Sequence, residues 1–303
     1  MRALYDASIF STEADVKRAL LAGGVLAVWV GATQFSAATI NDVHFHHFHL
    51  NVVDPQRSST FYQQIFGGVP VKFGGRTDAI FTERSFILFN KVAQPAAWAL
   101  ETGIWHLGWG GVDGPREFNT LTGKGVEFQK PVTALGNNYY MYAFGPDKEV
   151  LEVWTGFQNH RYGHIHLVAA DTNATLKWYS DTLGIALRPT AANGNVALQN
   201  VDNVAINALR QPATAPVPAL WEGNAPITAF QPTKGRAVDH IAFSYRKIQP
   251  IFDRMKKAGV TIAEPITLKQ EFGFKSFFIT GPENVLIEIV EAKPIPDASW
   301  EEK

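Results

Sequence analysis

Six residues carry the chemistry that stands out in this sequence: His47, His106 and Glu152 in the first half, and His164, His240 and Glu288 in the second. Two imidazoles and one carboxylate are the donors of a facial triad, which fills three positions of an octahedral ion and leaves three for substrate and oxygen. Such donors suit Fe(II), and also Mn, Zn or Ni. A lone strand histidine is usually a hydrogen-bonded pocket residue, and a lone glutamate beside apolar residues usually faces water. Here all three types recur at matching places: 46 residues separate His106 from Glu152, and 48 separate His240 from Glu288. That recurrence argues for ligands.

Ligands need strands to aim them. Side chains alternate along a strand, so Phe48, Leu50 and Val52 share one face while His47, His49 and Asn51 share the other. By the same alternation His106 and Gly108 oppose Leu107 and Trp109, and Glu152 opposes Leu151 and Val153. His164 and His166 oppose Ile165 and Leu167, His240 opposes Ile241, and Glu288 opposes Ile287 and Ile289. If consecutive quarters of the chain pack edge to edge, His47, His106 and Glu152 meet on one concave surface, and His164, His240 and Glu288 on a second. His49 and His166 then sit beside the ligands or face substrate. His44, His46 and His160 read as surface residues.

The quarters are visible as repeats. His47 to Asp54, followed by Phe61, Tyr62 and Gly67, returns 117 residues later as His164 to Asp171, followed by Trp178, Tyr179 and Gly184. Each quarter reads as strand, helix, strand, strand, strand. Asp54 and Pro55 start the first helix, and Gly67 ends it. The second quarter opens with a strand from Trp105 to Val112 and a helix capped by Asp113. The third opens at Tyr162 and the fourth at Val238. The boundaries are 41–157 for the first module, 158–293 for the second, with residues 210–236 as an irregular connection and 294–303 as a tail.

Composition narrows the classes. The chain has 303 residues, 46% of them hydrophobic, enough for a large core and against disorder. A net charge of −1 with no like-charge block gives no nucleic-acid footprint. No cysteine is present, which excludes thiol catalysis, disulfides and cysteine zinc sites. Residues 19–40 carry no charge and follow Lys17 and Arg18, with Ser36, Ala37 and Ala38 as a cleavage-like stretch. They read as an export signal, with an uncleaved membrane anchor or a buried helix as alternatives. The eighteen residues before the run include Asp6, Glu13 and Asp15, unlike a short basic leader. The expected location is therefore exported, periplasmic or secreted, with membrane-anchored and cytoplasmic as alternatives.

The pattern resembles the vicinal oxygen chelate superfamily of glyoxalases, bleomycin-resistance proteins and extradiol dioxygenases. The segments that carry the likeness are the two His…Asp…aromatic-Tyr…Gly runs above, and Gly145-Pro146…Glu152 with Gly281-Pro282…Glu288. The resemblance spans residues 41–293. It implies an α+β fold, four βαβββ units paired into two cup-shaped mixed-sheet modules, each around a divalent metal, with Fe(II) the first expectation. It also implies a small-molecule substrate that chelates through oxygen, such as a vicinal diol, catechol or carbonyl. A dioxygenase-like oxidoreductase is favoured over a glyoxalase-like lyase, and an exported binding protein without catalysis is the alternative; either is compatible with an oligomer. In the dioxygenases a tyrosine precedes the ligand glutamate by ten residues. Tyr142 holds that place in one module and Phe278 in the other. Those enzymes put an acid–base histidine where this chain has Asn90 and Asn207. The resemblance to the dioxygenases, which use their C-terminal module, implies His164, His240 and Glu288 as the iron ligands; local chemistry favours the module with Glu152, where Tyr142 and Asn90 are the expected catalytic side chains, and that module is the expected active one.

Overall fold

The computed structural model describes residues 42–294 apart from 76, 95, 97–100, 158–159, 190–195, 211–226 and 228. The segment read as an export signal or anchor, most of the 210–236 connection and the tail beyond 294 lie outside the described residues. Among the described residues no helix is long and apolar enough to cross a membrane.

The four-unit reading holds. The first unit is β1 (His44–Val52), α1 (Pro55–Phe66), β2 (Val69–Phe73), β3 (Thr77–Thr82) and β4 (Ser85–Lys91). The second is β5 (Ile104–Gly111), α2 (Gly114–Gly123), β6 (Phe128–Leu135), β7 (Asn138–Phe144) and β8 (Val150–Thr155). The third is β9 (Tyr162–Ala169), α3 (Thr172–Leu183), β10 (Leu187–Pro189), β11 (Val196–Leu198) and β12 (Ala205–Arg210). The fourth is β13 (Val238–Tyr245), α4 (Gln249–Lys257), β14 (Ile262–Lys269), β15 (Phe274–Thr280) and β16 (Leu286–Glu291). The local signals explain the helix starts: the Asp54, Asp113 and Asp171 carboxylates accept backbone N–H groups of their own first turns. Gly67 closes α1 in the left-handed region at φ 67°.

The pairing of units differs from the edge-to-edge pairing of consecutive quarters. One eight-stranded sheet runs β14-β15-β16-β13-β1-β4-β3-β2, joining the first unit to the fourth. A six-stranded sheet runs β12-β9-β5-β8-β7-β6, joining the second to the third, and β10-β11 stands apart as a two-stranded ribbon. The cups therefore do not correspond to consecutive halves of the chain. Each is completed at an antiparallel seam, β1 against β13 and β5 against β9.

The core supplies the reason. Phe45 and Phe48 of β1 meet Tyr162 of β9 at ring distances of 5.9 and 4.8 Å, and Phe48 meets Trp109 of β5 at 6.0 Å. Tyr62 and Phe66 of α1 stack on Trp109 at 5.7 and 4.6 Å. The leading strands of the first and second units thus lie face to face across one apolar layer, so they cannot be edge neighbours. Burying these faces against each other turns the alternate, histidine-bearing faces into two separate cups.

Trp109 is only 1% exposed and touches both sheets and α1. Trp109→Ala should cost about 3–5 kcal/mol of stability, the usual range for a large buried aromatic. Urea unfolding checks it, and a loss below about 1 kcal/mol would contradict a shared core.

Candidate metal centres

Three adjacent strands supply each cluster. In the eight-stranded sheet His47 lies opposite Ala242, His49 opposite His240, and Ala242 beside Glu288. His47 Nε2 is 3.1 Å and His240 Nε2 3.4 Å from Glu288 Oε2, and the two Nε2 atoms are 3.4 Å apart. In the six-stranded sheet His164 lies opposite Gly108, His166 opposite His106, and Gly108 beside Glu152. His164 Nε2 is 2.7 Å and His106 Nε2 3.4 Å from Glu152 Oε2. All six expected ligands therefore converge, in exchanged groups: His47–His240–Glu288 and His106–His164–Glu152. The expected sets His47–His106–Glu152 and His164–His240–Glu288 are corrected, because the leading strand of each cup comes from a non-consecutive unit.

These donors fit a metal. Two atoms sharing an ion at about 2.1 Å lie about 3.0 Å apart when adjacent in an octahedron and about 3.4 Å in a tetrahedron. The separations of 2.7–3.4 Å bracket those values. Glu152 Oε2 is buried between the two imidazoles, 2.7 Å from His164 Nε2 and 3.4 Å from His106 Nε2. Gly108 makes room for this: a Cβ there would stand 1.9 Å from the His164 ring. His106, Glu152, His164 and His166 offer donors within 4.8 Å of one another, and so do His47, His49 and His240.

Bulges in the seams separate the two cups. The β1–β13 register skips His46 on one side and Asp239 on the other. A bulge re-aims its extra residue. His46 Nδ1 comes within 2.7 Å of His47 Nδ1, and Asp239 Oδ1 within 2.7 Å of His240 Nδ1. Asp239 is itself held by the Gly235 N–H at 2.7 Å and the Asn51 amide at 3.0 Å. A carboxylate on Nδ1 fixes the imidazole so that Nε2 faces the donors. The β5–β9 seam skips the equivalent residues, Trp105 and Gly163, neither of which offers a carboxylate or an imidazole. His46 is thus buried, correcting its reading as a surface residue, and His44 joins β1 with Nδ1 2.9 Å from Asp202. His160 remains at the surface, 3.1 Å from Glu117. Asp239 was not singled out by the sequence, since strand alternation alone turns it away from the His240 face; Asn51 was placed on the face of His47 and His49, without a role.

Electrostatics follows the same split. Burial pushes the Glu152 and Glu288 carboxyls up, but the imidazoles beside each outweigh it and hold both well below the usual carboxylate range. Burial lowers His47 and His106 despite their glutamates. His240 is the exception: burial lowers it, yet Asp239 and Glu288 together raise it to about 9.

The two expected catalytic side chains part company. Tyr142 of β7 lies opposite Glu152, with its ring 5.3 Å from His106. Burial and the Glu152 carboxylate raise its phenol far above the usual value, so the hydroxyl stays protonated. Phe278 holds the equivalent place opposite Glu288. Asn90 lies in the other cup: its amide donates to Asn51 Oδ1 at 2.9 Å, behind Asp239. Asn90 and Tyr142 therefore do not serve one site, which corrects their expected partnership.

Residues 161–289 match the family model of the Glyoxalase/Bleomycin resistance protein/Dioxygenase superfamily. The search of curated proteins gives no match. Among solved structures the chain is similar to glyoxalase I from Zea mays, with 13% identity, a TM-score of 0.61, and coverage of 86% of this chain and 95% of that one. It is also similar to a putative dioxygenase from Bacillus subtilis, with 13% identity, a TM-score of 0.57, and coverage of 86% and 90%. At these identities the structural likeness is one of fold. The α+β fold and the resemblance to the vicinal oxygen chelate superfamily are borne out.

The raised His240 makes a pH prediction for the metal-free protein. A group whose folded pKa exceeds its unfolded value stabilises fully below the unfolded pKa and loses that contribution as pH rises through the folded one. Metal-free Tm should therefore fall as pH goes from 6.5 to about 9. Asp239→Asn should flatten that decline; an unchanged slope in the variant would remove Asp239 as the cause.

Proposed function

We propose that the chain is a metal-dependent enzyme acting on a small molecule that chelates through two oxygens, and that the cup of His106, His164 and Glu152 is where it reacts. One observation carries the choice of cup: Tyr142 places a protonated, buried hydroxyl across from Glu152, where the other cup has Phe278. His106, His164 and Glu152 would hold a divalent ion, Fe(II) in the first instance with Mn, Zn or Ni as alternatives, and the ion supplies Lewis acidity towards the substrate oxygens.

The chain's own groups do the rest. Tyr142 donates a hydrogen bond to a substrate oxygen that gathers negative charge. A hydrogen bond to a charged oxygen is worth about 1.5–3 kcal/mol. Trp105 and Tyr140 pack with Tyr142 in one buried aromatic cluster, and Phe230 and Ile227 cover it. They keep bulk water from the reacting face. His166, whose side chain is 27% exposed, is the most exposed of the four donors in this cup.

The cup of His47, His240 and Glu288 favours binding without turnover. Phe73, Phe272 and Phe274 crowd His46 and His49 there, and Phe278 offers no donor. Export is the accompanying proposal, supported by the uncharged run at 19–40.

Tyr142→Phe should lower kcat/KM about tenfold or more with metal content unchanged, from the loss of one hydrogen bond to charge. Glu152→Gln should abolish turnover while Glu288→Gln leaves most of it. The assay is turnover on a panel of catechols, vicinal diols and 2-oxoaldehydes, and loss of activity in Glu288→Gln alone would assign the reaction to the other cup. For export, N-terminal sequencing of the protein from fractionated cells should find a start near residue 39 outside the cytoplasm. A cytoplasmic chain beginning at Met1 would overturn it.

A further inference from the structure

We propose that the second histidine of each His-x-His strand, His49 in one cup and His166 in the other, is a fourth ligand. Each cup then holds its ion with three imidazoles and one carboxylate. The substrate's two oxygens take the remaining two positions, and dioxygen has no position beside them. This inference rests on the metal-dependent reading above and parts from the dioxygenase expectation.

Residues two apart on a strand project from the same face, so an imidazole at the second place reaches the same cup. The geometry in the six-stranded sheet is informative. His166 Nδ1 is 2.6 Å from His106 Nε2 and 4.0 Å from Glu152 Oε2. Donors on one octahedral ion at about 2.1 Å lie about 3.0 Å apart when adjacent and about 4.2 Å apart when opposite. The separations of 2.6, 2.7, 3.4 and 4.0 Å all fall within the roughly 4.2 Å that two donors on one ion can span, so His166 would reach an ion held by His106, His164 and Glu152. Four donors closing a tetrahedron would all lie about 3.4 Å apart. The set is therefore open, with places left over.

The eight-stranded sheet makes the case independently. His49 is buried, and its Nε2 has no hydrogen-bond partner. Its ring lies 4.8 Å from that of His240 and 5.8 Å from that of His47. Its donor falls within 4.8 Å of those of both neighbours, in a group of three imidazoles that does not include Glu288. A buried imidazole nitrogen without a partner is what a ligand looks like before its ion arrives.

The consequence is a count. Six positions less four leaves two, and a substrate that chelates through neighbouring oxygens fills both. Chemistry that binds dioxygen next to such a chelate needs a third. The reaction class is therefore redox-neutral: no electron leaves the substrate, and no oxidant is required.

The test uses the purified full chain loaded anaerobically with Fe(II). Nitric oxide reports an open position by the EPR signal of its iron adduct, and acetohydroxamate is the two-oxygen probe. In the wild type, acetohydroxamate should abolish the nitrosyl signal. In the double variant His49→Ala/His166→Ala, both should bind together, and Fe(II) affinity should fall at least about 10–100-fold, the loss that even an outer partner of a ligand causes. If that variant does not fold, His49→Gln/His166→Gln should show the same loss of affinity. A wild-type nitrosyl signal that persists with acetohydroxamate bound overturns the proposal, as does an unchanged affinity in the variants. A wild type that binds no divalent ion overturns the metal-dependent reading itself, and this inference with it.

Discussion

The apolar layer between the two sheets is the constraint on which the sites depend. β1, β5, β9 and β13 each give one face to it, through Phe48, Trp109, Tyr162 and Phe243 among others. A strand that spends every second side chain on a shared core has only the others left for chemistry. The histidines are therefore aimed by burial of their neighbours rather than by contacts of their own. Each leading strand needs an antiparallel neighbour at its free edge, and the face-to-face stacking leaves the non-consecutive unit in that place.

This explains what was legible in the sequence. Period, caps and turn glycines are local, so strands such as β1, β5 and β8, the capped helices and the residues sharing a face could be read directly: His47 with His49, and Leu107 opposed to His106. The six histidines and glutamates that converge in the two clusters were legible for the same reason. Which unit pairs with which is decided by packing across the core, and nothing in the Phe48 or Trp109 neighbourhood encodes it locally. The error passed straight into the grouping of ligands and placed Asn90 with Tyr142. Bulges were illegible too, because one extra residue in a seam shifts the phase. That is how Asp239 and His46 reach the ligand face while alternation points them away.

The two cups share their ligands and differ in what stands behind them. In one, both bulge residues are polar and touch the outer nitrogens of the ligand imidazoles, and Asn51 and Asn90 extend the chain of contacts from Asp239. In the other, the bulge residues are Trp105 and Gly163, and the distinctive polar group lies on the substrate side, at Tyr142. The first arrangement orients donors and alters the basicity of an imidazole. The second places a hydrogen-bond donor where charge would develop on a bound molecule. The repeated clusters thus differ in opposite directions, behind the imidazoles in one cup and on the open side of the carboxylate in the other.

Burial sharpens the meaning of the repeated clusters. A carboxylate taken out of water costs several kcal/mol after relaxation, and apolar residues of similar volume would often be as stable or more so. Glu152 and Glu288 are both buried, each among histidines that burial itself tends to discharge. The imidazoles beside each glutamate are what hold it ionised against that cost. The fold does not need this arrangement, since Ala242 and Gly108 show that small apolar residues fit the same strand faces. A divalent cation at either cluster would supply further positive charge and give the facing donor atoms a common partner, with His47 and His106 already in the neutral state that burial favours.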